Sequence, residues 1–208
     1  MESKMLGYNV YSCSQDCSLD MREPQVIMPG TFNPYHAGHQ AIAYHADKYT
    51  GKHTLLEHSI NRVGKDETDK NRIMDLISEA WCVYHRTLLI TNAMMFWQKA
   101  KLFPGSIFVI GADTFQRIID HKWVMRQYDG GMPEDSAIQI VKRDLKVIRE
   151  QGCSFLVYPR YKDGVIKTMP HYDDGIYDLR NFTDMSHRLI QPKFEPIDIS
   201  STELRNNI

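Results

Sequence analysis

The chain has 208 residues, 42% of them hydrophobic, with 25 Lys and Arg against 26 Asp and Glu and a formal net charge of −1. That length and apolar content support one domain with a real core, and the interspersed charges exclude a basic stripe for nucleic acid or a polybasic anchor for a membrane. The longest apolar runs are about five residues, against the roughly 20 needed to cross a bilayer.

Residues 1–24, "MESKMLGYNVYSCSQDCSLDMREP", lack the apolar core of a signal peptide and read as an N-terminal arm ahead of a domain at 25–208. A cytoplasmic protein is expected. Cys13 and Cys17 stand in this arm, while Cys82 and Cys153 lie in apolar surroundings. No second pair sits at zinc spacing, so free thiols and no protein-bound metal are expected.

From there the pattern alternates. Short apolar runs at 25–29, 53–60, 87–91, 106–110 and 153–158 read as strands. Between them, 37–49, 69–84, 93–101, 112–120 and 135–150 read as helices. In the last, Ala137, Ile138, Val141, Leu145 and Ile148 share one face, "PEDS" marks the start and Gly152 the stop. Residues 160–195 read as an irregular surface excursion. The order implies an α/β fold, a doubly wound, Rossmann-like parallel sheet with helices on both faces. Such sheets bind ligands beyond the carboxyl ends of their strands, where the strand order reverses. The turns after residues 29 and 110 are therefore the places to look for chemistry.

The first turn reads "PGTFNPYHAGH". Gly30 permits a tight backbone and close approach of a phosphate. Helix 37–49 follows, aiming its free amides and positive dipole end at whatever lies above the strand. His36 and His39, three apart, share a face of that helix, and Gly38 between them adds no side chain. The arrangement suits an oxyanion; it equally describes two solvent-facing histidines beside a helix start. In the second turn, "IGAD", Asp113 either caps a helix or accepts from a ribose hydroxyl or an adenine amine. At the C-terminus, "ISSTELR" places Ser200, Ser201 and Thr202 around a short helix start, with Arg205 on the same face as Thr202. That is again an anion-binding arrangement, or else a frayed tail. Fingerprints of dinucleotide oxidoreductases, P-loop enzymes, serine hydrolases and zincins are absent.

Taken in order, "GTFNPYHAGH", "IGAD" and "ISSTELR" resemble the nucleotidylyltransferase superfamily, closest to nicotinamide and nicotinate mononucleotide adenylyltransferases. The resemblance covers residues 25–208. "LEHSINRVGKD" and "TNAMMFWQKAKLFPGSIFVIGADTFQRI" also resemble a branch described only as nucleotidylyltransferases. The resemblance implies that AMP passes from ATP to a phosphorylated acceptor with release of pyrophosphate, Mg²⁺ accompanying the ATP. It assigns ATP contacts to Gly30, Thr31, Phe32, His36, Gly38, His39, Gly111, Asp113, Ser200, Ser201, Thr202 and Arg205, with His36, His39 and Arg205 catalytic. Trp97, Trp123 and Tyr128 are candidates to flank the acceptor's ring, against the plainer role of core aromatics. The alternatives are transfer of AMP or CMP to another phosphorylated acceptor, and a nucleotide sensor without turnover. A homo-oligomer is left open.

Overall fold

The computed structural model describes residues 2–5, 8–13, 23–61, 68–83, 85–127, 131–162, 165–167, 189–190 and 192–197. Five strands form an all-parallel centre: β3 (Val26–Pro29), β4 (Thr54–Ser59), β5 (Leu88–Thr91), β6 (Ile107–Gly111) and β7 (Ser154–Tyr158). They lie in the order β5-β4-β3-β6-β7. The strand order therefore reverses between β3 and β6. A two-residue strand, β10 (Leu189–Ile190), extends the sheet in parallel beside β7.

Side chains alternate between the faces along every central strand, as period-two geometry requires. Ile27, Leu55, Leu89, Phe108, Ile110, Phe155 and Val157 point to one core. Val26, Met28, Leu56, Leu88, Ile90, Val109, Leu156 and Tyr158 point to the other. Helices α1 (Ala37–Thr50) and α2 (Lys70–Ser78) cover the second face through Ala43, Ala46 and Leu76. Helices α3 (Phe96–Leu102), α4 (Ala112–Ile119), α5 (His121–Arg126) and α6 (Glu134–Glu150) cover the first, through Ala100, Leu102, Phe115, Ile119, Val124, Ala137, Val141 and Leu145. The expected doubly wound α/β sheet is what the chain forms.

Local chemistry sets the helix boundaries. Asp69 caps α2 by accepting from the amides of Asn71 and Arg72. Gly51 and Gly152, at φ +68° and +73°, end α1 and α6 in the left-handed conformation. Of the helix expected at 69–84, the regular part stops at Ser78 and Glu79–Val83 widens into a π-helical turn, which hydrophobic spacing does not distinguish. The helix expected from residue 93 starts at Phe96. The residues before it are spent on contacts, the Ala93 carbonyl on Lys99 and the Met95 amide on Gln98.

Several elements were not anticipated. β1 (Glu2–Met5) and β2 (Tyr8–Cys13), within the segment read as an arm, pair antiparallel, and β2 joins the edge of β5 antiparallel. The excursion at 160–195 contains an antiparallel pair, β8 (Arg160–Lys162) and β9 (Val165–Lys167), as well as β10. Helix α5, capped by the Asp120 carboxylate on the Lys122 amide, is six residues long and too short to show a period. Among the described residues no helix is long and apolar enough to cross a membrane.

Candidate active site

A cavity of about 650 Å³ opens over the carboxyl ends of β3 and β6, at the reversal of strand order. Its wall includes Gly30, Thr31, His36, Gly38 and His39 from the first turn, and Gly111 and Asp113 from the second. Trp97 and Trp123 line it as well, from α3 and α5. Two turns about 80 residues apart in sequence thus share one space. Ser200, Ser201, Thr202, Arg205 and Tyr128 lie outside the described residues.

The first turn is held from beneath. The Gly30 amide donates to the Glu57 carbonyl at 2.9 Å, continuing the β3–β4 pairing. The Gly30 carbonyl faces His58 Nδ1 at 3.1 Å, and His58 Nε2 lies 2.9 Å from Thr68 Oγ1. A carbonyl can only accept, so Nδ1 carries a proton and donates to it. Arg72 Nη2 donates to the Phe32 carbonyl at 2.5 Å, while its Nη1 pairs with Glu79 at 3.0 Å. Phe32 itself, expected against the nucleotide, is 2% exposed and packs on Tyr35 and His39. Its ring lies behind the turn and is not part of the cavity wall.

That ring also explains Gly30. A Cβ placed there would stand 2.6 Å from Phe32 Cε1, inside any real contact. Gly30→Ala is expected to lower stability by about 1–3 kcal/mol, the usual cost of overpacking, and Phe32→Leu in the same chain should recover most of it. Urea midpoints of the three variants check this; a neutral Gly30→Ala would show that the ring moves freely.

His36 stands at the N-cap of α1 in extended backbone, and its side chain makes no cap bond. The first intrahelical bond runs from the Gln40 amide to the His36 carbonyl, so the amides of residues 37–39 have no acceptor within the helix. The His36 and His39 rings lie 3.8 Å apart between centroids at 31°. Burial, His36 and the Arg160 guanidinium together lower the His39 pKa to about 3. His39 is therefore a neutral imidazole at pH 7. Its Nδ1 is buried and has no hydrogen-bond partner among the described residues. A buried polar atom without a partner on a cavity wall points to a ligand that supplies one.

The same shift has a consequence for stability. Between about pH 3 and 6.5 the unfolded ring holds a proton that the folded ring does not, so stability falls as the pH drops through that window. Toward the lower part of this window the slope from His39 approaches about 1 kcal/mol per pH unit. His39→Asn is expected to flatten the wild-type curve by that amount in denaturant titrations at several pH values. Parallel curves for the two proteins would contradict the shift.

At the second turn, Gly111 caps α4 without any side-chain cap bond. Asp113 does not cap. Its Oδ2 takes Arg160 Nη1 at 2.8 Å, and its Oδ1 lies so close over Gly111 that a Cβ there would be 2.8 Å away. Gly111 is thus the residue that lets the carboxylate fold back. Trp97 is half-buried, with Lys101 Nζ 5.0 Å and the Arg143 guanidinium 6.0 Å from its ring centroid. Trp123 is half-buried against the core below the cavity.

Sequence reasoning missed an ion pair in the cavity wall. Glu57 on β4 and Lys99 on α3 are 1% and 4% exposed. Lys99 Nζ donates to both Glu57 carboxylate oxygens at 2.7 and 2.8 Å and to the Ala93 carbonyl at 2.7 Å, and Thr91 Oγ1 donates to Glu57 as well. A charged residue inside an apolar strand is a visible signal, because a buried charge needs a partner; the identity of the partner is not. The pair joins α3, which carries Trp97, to the strand that fixes Gly30.

No curated protein matches the chain. The profile of the cytidylyltransferase-like family matches residues 27–207, a span that holds both turns and nearly all of the sheet's parallel centre. A doubly wound sheet with a cavity at its switch point, and a match over most of the length, agree: the chain belongs to the cytidylyltransferase-like family, whose chemistry is nucleotidyl transfer.

Proposed function

We propose that the protein transfers AMP from ATP to nicotinamide or nicotinate mononucleotide, releasing pyrophosphate. The observation that carries this reading is the meeting of His36, Gly38 and His39 with Gly111 and Asp113 in one cavity at the β3–β6 reversal. The amides at the start of α1 and the two imidazoles suit a phosphate chain. Asp113 suits the hydroxyls of a nucleoside, and Trp97 and Trp123 offer aromatic surface for the acceptor's ring. In this reading Ser200, Ser201, Thr202 and Arg205 take the outer phosphates. The acceptor phosphate attacks the α-phosphorus in line, and catalysis is positioning and charge stabilisation. Among the described residues no three His, Cys, Asp or Glu side chains group as a metal site. In this reading Mg²⁺ arrives with the triphosphate, held by its phosphates and water as is usual for this ion.

The family's cytidylyl description favours a second reading, CMP transfer from CTP to another phosphorylated acceptor. A matrix of ATP and CTP against nicotinamide mononucleotide, nicotinate mononucleotide and other phosphorylated alcohols, with and without Mg²⁺, separates the two by chromatography of the products. Dinucleotide and pyrophosphate from ATP only with Mg²⁺ is the expected result. Product from CTP alone selects the second reading. Tight triphosphate binding without turnover on any acceptor would leave a nucleotide-binding protein that is no enzyme.

A further inference from the structure

The cations around the cavity are not equivalent. Lys99 is fully engaged by Glu57 and the Ala93 carbonyl. His39 is neutral at pH 7. Arg117, one turn along α4 from Asp113, lines the mouth and makes no hydrogen bond or ion pair among the described residues, but it is exposed. Arg160 differs from all of these. It follows β7 directly beyond Pro159, lines the cavity, and lies close enough to His39 to oppose its protonation. It therefore faces α1's first turn from across the reversal of strand order. Among the described residues its partner is Asp113, the carboxylate at the start of α4.

The two side chains are 43% and 32% exposed. A pair so exposed is worth little in stability, because solvent screens it, and exchanging its partners is correspondingly inexpensive. Each member also has the complementary chemistry for one half of a nucleotide: a guanidinium fork for phosphate oxygens, a carboxylate for paired hydroxyls. We propose that Arg160 is a phosphate-binding residue of this site, paired with Asp113 here and handed to the ligand's phosphates when Asp113 turns to the nucleoside hydroxyls. The role in nucleotide binding rests on the nucleotidyl-transfer reading; phosphate binding by Arg160 does not depend on it.

Calorimetry with inorganic pyrophosphate as the probe, at low ionic strength, tests the exchange on wild type, Arg160→Gln, Asp113→Asn and the double variant. Arg160→Gln is expected to weaken pyrophosphate roughly 10- to 100-fold, the loss of one charge-assisted contact. Asp113→Asn removes the competitor and should tighten pyrophosphate about two- to fivefold, and this gain should vanish in the double variant. With ATP or CTP, Asp113→Asn should instead weaken binding, because the hydroxyl contact is lost. Equal pyrophosphate affinity in wild type and Arg160→Gln, or no tightening in Asp113→Asn, overturns the proposal. The expected pyrophosphate pattern together with no nucleotide binding would reject the nucleotidyl-transfer reading and leave Arg160 a phosphate ligand. Thermal midpoints of the four proteins should stay within a few degrees, in line with the small worth of an exposed pair.

Discussion

His39→Ala is expected to lower kcat by about 10²–10³ while changing the KM for the triphosphate far less, the loss typical of one donor that acts where charge develops. The residue stands in the first turn of α1, stacked on His36, with a buried Nδ1 that no described residue satisfies. Being neutral at pH 7, it offers one N–H and one acceptor, and so acts by hydrogen bonding without a fixed charge. A role in ground-state binding alone would raise KM and leave kcat intact. Steady-state kinetics of the variant decide between these, and a kcat within about threefold of wild type would remove His39 from the chemistry.

Lys99→Met should be the most destabilising single change near the cavity, at about 3–5 kcal/mol. The substitution keeps an unbranched stem, one atom shorter, but leaves the Glu57 carboxylate, 1% exposed, with the Thr91 hydroxyl as its remaining partner among the described residues, and strips the Ala93 carbonyl of its donor. An uncompensated buried charge is costly, whereas an apolar or neutral replacement of both members is often tolerated. Glu57→Gln with Lys99→Met should therefore recover much of the loss. Urea denaturation of the single and double variants measures it. A double variant as unstable as Lys99→Met would show that the ammonium's contact with Ala93 matters more than the ion pair.

The central strands were legible because each is a short apolar run between turn residues, and the structure places all five within a residue of the expected bounds. The switch point followed from that order alone. Gly30, His36 and His39 were legible because a strand, a glycine turn and a helix start compress them into eleven residues. The supports were not. His58, Arg72 and Arg160 reach the site from β4, α2 and the end of β7, through distances in sequence that no local spacing encodes. Lys99 falls within the helix expected at 93–101, and only the fold brings it onto Glu57. For Phe32 a family motif does not distinguish ring from backbone: its left-handed backbone, at φ +43°, tucks the ring into the core, so any ligand contact there falls to the main chain of the turn. Its place at the start of α4 leaves Asp113 between cap and ligand contact, and the ion pair with Arg160 displaces the cap. Short pieces such as α5, β8, β9 and β10 carry too few residues for periodicity to register.

In the proposed function nucleotidyl transfer is direct and takes place in the cavity at the β3–β6 reversal. Its most direct measurement follows ATP labelled at the α-phosphorus, incubated with nicotinamide or nicotinate mononucleotide and Mg²⁺, for wild type and the His36→Ala/His39→Ala double variant. The label should appear in the dinucleotide, in step with one pyrophosphate for each product, and this transfer should collapse in the double variant while its fold persists by circular dichroism. Label released as free AMP at the wild-type rate, or undiminished transfer by the double variant, would contradict the claim.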